Sequence, residues 1–378
     1  MNILNVNQIL DPTVGGGTAE RTVQMSYFLA QEGIDCSILC TDLALSDETK
    51  LYLKDVKIAA LPCLIKRFYI PMPDFFRINT LVKKADLVHI MNHWTILNVW
   101  VYLLVRWHKR PYVVCPAGAL PLFGRSQTLK KLFNWIIGKN IIRNADACIA
   151  VTKDEIPQFK SYGVEEQKVV VIPNGIRCDY PPSEAGAANF RKKFNLTATP
   201  FILFLGRLNL IKGPDLLLNA FCKIKNDFPS FHLVIAGPDE GLLGEMQAMA
   251  GQEKILERVH FIGPIRGEEK RHAYEAADLL VIPSRQEAMS IVVLEAGIFG
   301  TPVLFSDQCG LGELASLNCG HEVSVSVEEI QSGLKLLLGN KELRQTLGRN
   351  LRAHILQTYD WKIVVKQYLK LYQKLVRR

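Results

Sequence analysis

The feature that most constrains this chain is a rhythm. Short apolar runs alternate with longer helical patterns, and the rhythm restarts near residue 200. In the first half the runs are ILNVNQI, DCSILCT, LVHIM, YVVCP, ACIAVT and KVVVIPNG. In the second half they are FILFLGRL, FHLVIAGP, VHFIGPI, DLLVIPS and TPVLFSD. Runs of this kind, rich in β-branched residues and separated by helices, build parallel sheets covered on both faces. The expected fold class is therefore α/β: two Rossmann-like, doubly wound parallel-sheet domains. Ligands in such sheets bind at the carboxyl ends of the strands.

The first domain is expected over residues 1–180 and the second over 195–358. The stretch YPPSEAGAANFRKKFNLTATP between them carries no strand signal and reads as a linker plus a helix. Residues 359–378 form an amphipathic pattern, with Lys362, Lys366, Lys370 and Lys374 on one stripe. Val364, Val365, Tyr368, Leu369, Tyr372 and Leu375 supply the apolar surface. This helix is expected to pack back toward the N-terminal domain with its lysines in water.

Composition sets limits. The 378 residues are 48% apolar and 22% charged, an ordinary globular balance with material for two cores. Nine cysteines without a CxxC pair fit a reducing compartment rather than a disulfide scaffold. The N-terminus lacks a basic n-region and reads as a first strand, not a signal peptide. No uncharged stretch reaches a membrane span. A cytoplasmic protein is expected, at most peripheral on the inner face of the cell membrane.

Charge is unevenly placed. Between Asp86 and Asp146 there is no acidic residue, while Arg106, Lys109, Arg110, Arg125, Lys130, Lys131, Lys139 and Arg143 equal the net charge of +8. Trp94, Trp100, Trp107 and Trp135 lie among them. Segment 87–145 thus suits an anionic membrane surface. Nucleic acid is the second class of partner such a stretch can meet, and is not the expected one here. The alternative is a solvated face over a half-buried helix.

Two carboxylates stand out in SRQEAMSIVVLEAGIFGTPVLFSD, residues 284–307. Glu287 precedes a helix for which Ser290 is the expected N-cap, and Glu295 lies inside that helix on an apolar surface. A carboxylate so placed needs a partner: a ligand hydroxyl, or an Arg or Lys from a neighbouring helix. Upstream, FLGRLNLIKGPDLLLNAF puts Arg207 and Lys212 in a loop ending at a helix start marked by Gly213-Pro214 and Asp215. Two cations at a helix N-terminus form an anion site, suited to diphosphate. The run GGGTAERTVQ at 15–24 leaves room for close backbone approach, and Thr18 is expected to cap the next helix. No GxGxxG dinucleotide fingerprint and no P-loop GKT or GKS is present.

GRLNLIKG together with SRQEAMSIVVLEAG resembles the retaining family 4 glycosyltransferases of the two-domain, double-Rossmann GT-B type. Their hallmark is two glutamates separated by seven residues, with an Arg and a Lys upstream. The glycine-rich first loop, VIPNGI, AGPDE and TPVLFSDQCG also fit, so the resemblance spans nearly the whole chain.

The resemblance implies that Arg207 and Lys212 hold the diphosphate of a nucleotide-sugar donor, of UDP or GDP type. It implies that Glu295 bonds the ribose and that Glu287 contacts the donor sugar. Backbone N–H groups at Met289, Ser290 and Ile291 would face sugar and phosphate. Gly16 and Gly17 would approach from the other domain, and Ile265-Arg266 would line the base. No cofactor and no metal ion is expected, since no Asp-x-Asp pair suited to a divalent ion is found. The implied acceptor is a glycan or a lipid-linked saccharide in cell-surface glycan synthesis, lipopolysaccharide included.

The chain departs from the family pattern twice. Many relatives carry Glu-Gly-Phe-Gly where Glu287-Ala288-Met289-Ser290 stand. Ala117, in CPAGAL, occupies a position where relatives often carry His or Arg; His93 is the nearest substitute, read as structural. Competing functions are a non-catalytic nucleotide-sugar-binding subunit, an epimerase or phosphorylase on the same fold, and a dinucleotide oxidoreductase.

Overall fold

The computed structural model describes residues 1–122 and 126–377, the side chain of Thr13 excepted. Arg125 of the basic segment lies outside the described residues. The chain divides into two compact units: Met1–Arg177 together with Trp361–Arg378, and Cys178–Asp360.

The first unit is built on β1 (Asn2–Val6), β2 (Asp35–Thr41), β3 (Lys57–Leu61), the small hairpin β4 (Cys63–Ile65) and β5 (Ile70–Pro71), β6 (Leu87–Met91), β7 (Tyr112–Cys115), β8 (Ala147–Ala150) and β9 (Val169–Val171). Seven of these form one sheet in the order β3-β2-β1-β6-β7-β8-β9, with every pairing parallel. Strand order reverses between β1 and β6. Strands β6, β7 and β8 are buried at every position, which is why they read as continuous apolar runs.

The second unit holds β10 (Phe201–Leu205), β11 (His232–Ala236), β12 (Val259–Gly263), β13 (Leu279–Ile282), β14 (Val303–Ser306) and β15 (His321–Val323). Their order is β12-β11-β10-β13-β14-β15, again all parallel. Here the reversal falls between β10 and β13.

Two parallel-sheet α/β domains are thus present, and the differences from expectation are local. Strands β3 and β15 were not among the expected runs. Both are edge strands: β3 reads Lys-Ile-Ala-Ala-Leu, with little β-branched content, and β15 is three residues with His and Glu at two of them. The second unit begins at Cys178 rather than 195. Helix Glu184–Lys193, expected in a linker, packs on helix Gly267–Ala276, and its Arg191 pairs with Asp278 at 3.1 Å. No Thr18 cap opens the first helix. Helical backbone already begins at Pro12 and is interrupted at Gly16 (φ 62°, ψ −152°).

Helix Trp361–Val376 belongs to the first unit. Trp361, Tyr368 and Tyr372 are buried while the four lysines are exposed. The Tyr372 hydroxyl lies 2.7 Å from His89 Nδ1 on β6. All nine cysteines are free thiols.

Candidate active site

The site forms at the reversal point of the second sheet, where loops leave the carboxyl ends of β10 and β13 side by side. After β10 the chain is fastened to the loop after β11. Gly206 N–H donates to the Ala236 carbonyl at 3.0 Å, and Leu208 N–H to that of Pro238 at 2.9 Å. A Cβ on Gly237 would sit 1.8 Å from the Gly206 carbonyl oxygen, so this approach requires glycine. The fastening brings Glu240 to Arg207, at 3.1 Å.

The Lys212 end of the loop is laced to the loop after β13. Gly213 has φ 71°, and a Cβ there would lie 2.2 Å from the Pro283 carbonyl oxygen. Arg285 N–H donates to the Ile211 carbonyl at 2.7 Å. Its guanidinium makes a forked pair with Asp215, at 2.9 and 2.6 Å. Hydrogen bonding to Asp215 holds the Arg285 pKa above its ordinary value. This geometry delivers Lys212 Nζ to 3.0 Å from Glu287 Oε1, which also accepts from Ser284 Oγ at 2.5 Å. Glu287 is only 10% exposed at its side chain. The two cations therefore have different carboxylate partners, Glu240 for Arg207 and Glu287 for Lys212.

The loop carrying Glu287 rests on the loop after β14. Glu287 N–H donates to the Gln308 carbonyl and Ser290 N–H to that of Cys309, both at 2.9 Å. Gly310, with φ 65°, lets the two backbones touch at Ala288. Ser290 does occupy the N-cap position of helix Ile291–Ile298, but its hydroxyl caps nothing: it is buried with no partner among the described residues. Its amide, expected to face a ligand, is taken by Cys309. Met289 is buried and Ile291 half-buried at the helix start.

Glu295 has partners on helix Gly267–Ala276. Lys270 Nζ stands 2.6 Å from Oε1, and the Tyr274 hydroxyl donates to Oε2 at 2.6 Å. Lys270 and Tyr274 are one helical turn apart and so share a face. Burial, then the adjacent carboxylate, push the Tyr274 phenol well above its ordinary pKa, so it acts as a donor. A Lys from a neighbouring helix was one of the two kinds of partner the sequence left open, and that helix starts directly after Ile265 (buried) and Arg266 (exposed). The sequence reading missed Lys270, Tyr274, Glu240 and Arg285. The one available signal was the i, i+4 spacing of Lys and Tyr in EEKRHAYEAA.

Within the first unit, Gly16 is exposed at the kink and Gly17 directly after it. Ala117 takes a left-handed backbone (φ 47°), and the next residue, Gly118, donates its N–H to buried Glu155 at 2.5 Å. Burial raises the Glu155 pKa. His93 is buried against Trp94, Phe133 and Tyr162, and its Nε2 lies 2.9 Å from Asn134 Oδ1. It is a core residue. Among the described residues, no group of three or more His, Cys, Asp or Glu could hold a metal ion.

Two family models match the chain. The model of Glycosyltransferase Family 4 matches residues 15–180, and that of Glycosyl transferases group 1 matches residues 187–354. The chain belongs to the family 4 glycosyltransferases. A D-inositol 3-phosphate glycosyltransferase of Nocardia farcinica is 31% identical over 249 residues, 62% of this chain and 54% of that one. A glycosyltransferase of Methanocaldococcus jannaschii is 31% identical over 243 residues, 60% of each chain. The chain thus spans little more than half the length of such family members. HepE of Anabaena, solved with UDP-glucose, superposes with a TM-score of 0.82 at 18% identity, covering 99% of this chain and 100% of that one. WaaG, a glycosyltransferase involved in lipopolysaccharide biosynthesis, gives 0.70 at 19% identity over 98% and 99%. These likenesses show that this family member has the GT-B fold.

Proposed function

We propose that this chain is a retaining, metal-independent hexosyltransferase. It moves a sugar from a UDP- or GDP-sugar to a polysaccharide or lipid-linked acceptor in cell-surface glycan synthesis. The observation that carries this reading is the Lys212–Glu287 pair at 3.0 Å, beside the starts of helices Pro214–Ile224 and Ile291–Ile298 at the reversal of the second sheet.

In the reaction the donor C1–O bond to diphosphate breaks and a bond from the acceptor hydroxyl to C1 forms on the same face. The acceptor proton passes to the departing diphosphate oxygen. Charge gathers on that diphosphate, and this demands fixed positive charge more than a strong base. Lys212 and Arg207 supply it. Glu287 holds Lys212 in place and faces the sugar hydroxyls, and Glu295 reads the ribose. HepE was solved with UDP and UDP-glucose, which supports a nucleotide-sugar donor for a chain of this fold. The acceptor is met at the inner membrane face by the basic, Trp-rich segment 87–145, of which Trp107 and Trp135 are exposed.

A non-catalytic, nucleotide-sugar-binding subunit is the second reading. Ala117 favours it, because a methyl group stands where a His or Arg would reach the sugar. Thermal unfolding against a panel of nucleotides and nucleotide sugars, with and without EDTA, followed by product analysis, tests both. Stabilisation by one nucleotide-sugar class, insensitive to EDTA and accompanied by an α-linked product from an α-linked donor, is expected. Binding without turnover would select the second reading.

A further inference from the structure

We propose that Arg285 masks Asp215 and so keeps a competing carboxylate off Lys212 and off the diphosphate; this rests on the reading of Lys212 as the cation that meets the donor diphosphate. Arg285 is then a positioning residue, acting through Lys212 and not on the reacting atoms.

Charge around the loop after β10 is balanced in pairs. Arg207 faces Glu240 at 3.1 Å, Lys212 faces Glu287 at 3.0 Å, and Arg285 faces Asp215 at 2.6 Å. Two of these cations are offered to the diphosphate. The third pair has another use. Asp215 stands in the first turn of helix Pro214–Ile224, three residues after Lys212. An acid there stabilises the helix, because the N-terminal N–H groups carry partial positive charge. The same carboxylate, left bare, repels a diphosphate at that helix start and draws the Lys212 ammonium away from Glu287.

Arg285 is shaped to cancel that charge. Nη1 donates to Asp215 Oδ1 at 2.9 Å and Nη2 to Oδ2 at 2.6 Å, so both oxygens are occupied. A fork of this kind fixes orientation as well as charge, which a lysine does not. The side chains are only 34% and 22% exposed, so water screens Asp215 incompletely.

The backbone at Lys212 does not need this side chain. Lys212 N–H donates to Asn209 Oδ1 at 3.0 Å, and Gly213 N–H to the Asn209 carbonyl at 3.3 Å. The bond to the Ile211 carbonyl uses the Arg285 main chain. Beyond Asp215, the guanidinium adds one bond, from Nη1 to the carbonyl of exposed Leu210 at 2.5 Å. Its main contribution is therefore to charge and not to loop support.

Three variants separate masking from support. Arg285→Met bares Asp215, Asp215→Asn removes the charge that needs masking, and the double variant does both. Arg285→Met should lower kcat and weaken binding of UDP or GDP in calorimetry, each about tenfold or more. Asp215→Asn alone should stay within about threefold of wild type, and so should the double variant. Arg285→Lys should lie between wild type and Arg285→Met. A double variant no better than Arg285→Met overturns the proposal, as does a full loss on Asp215→Asn alone. Arg285→Gln gives the same comparison if Arg285→Met does not fold.

A ligand-free measurement keeps this apart from the transferase reading. In a crystal structure of Arg285→Met, Lys212 Nζ should leave Glu287 for Asp215, and in the double variant it should return. Lys212 unmoved in Arg285→Met overturns the masking even where transfer falls. Wild-type protein that binds neither UDP nor GDP and transfers no sugar counts against the transferase, and the position of Lys212 then still decides the masking.

Discussion

Lys270 and Tyr274 divide the carboxylate of Glu295 between them, the ammonium on one oxygen and the phenol on the other, each at 2.6 Å. Both come from one face of one helix, so they fix where the carboxylate points. Tyr274→Phe should raise the donor KM about tenfold with kcat little changed, the size of one hydrogen bond to a charged group. Lys270→Met should do the same, and Lys270→Arg should restore part of the loss. Affinity for a 2′-deoxy nucleotide should respond less than that for the ribonucleotide, which calorimetry can measure.

Lys212 stands apart from Arg207 by its burial and by its partner. Lys212→Ala should lower kcat on the order of a hundredfold or more, because the cation acts on charge that develops only as the diphosphate leaves. Arg207, half-exposed and paired to Glu240, should matter less on Arg207→Ala. Unchanged transfer by Lys212→Ala in a steady-state assay would remove the diphosphate assignment.

Glu287→Ala should separate sugar from nucleotide. Binding of the nucleotide sugar should weaken, while that of the free nucleoside diphosphate should stay within about twofold. Equal weakening of both would move Glu287 from sugar recognition to support of Lys212 alone.

Gly213→Ala forces a Cβ onto the Pro283 carbonyl at a left-handed backbone. It should destabilise the second unit by about 2 kcal/mol or more in urea unfolding. Gly244→Ala is the control. That glycine lies in helix Leu243–Gln252 with nothing within 4 Å of its added Cβ, and the change should stabilise by about 0.5–1 kcal/mol.

Burial lowers the His93 pKa to about 4. The unfolded chain titrates this side chain near its ordinary value, so on acidification the unfolded state takes the proton first. Stability from neutral His93 is complete above about pH 6.5 and falls as pH drops toward 4. Between pH 6.5 and 5 the wild type should lose about 2 kcal/mol more than His93→Gln in denaturant unfolding.

The sequence made the architecture legible because eleven of the strands lie in apolar runs that no helix pattern imitates. It hid β3 and β15, whose edge positions relax the demand for β-branched residues. Lys212, Glu287 and Glu295 could be named because charge in an apolar context is itself a signal. Their partners could not. Ser284 and Lys270 reach these glutamates through loop lacing and helix packing, which sequence spacing does not encode. Ser290 shows the limit of local rules, since it stands at an N-cap with its hydroxyl unused.

The first unit is completed by residues 361–378, which follow the whole of the second unit in sequence. Trp361 N–H donates to the Ile176 carbonyl, and Tyr372 reaches His89. During synthesis the second unit is whole before the first has received helix Trp361–Val376. A ribosome that stops at Asp360 therefore releases a finished second unit beside an N-terminal unit with an open core. Chain-terminating mutations that remove Trp361–Arg378 should be read as lesions of the first unit.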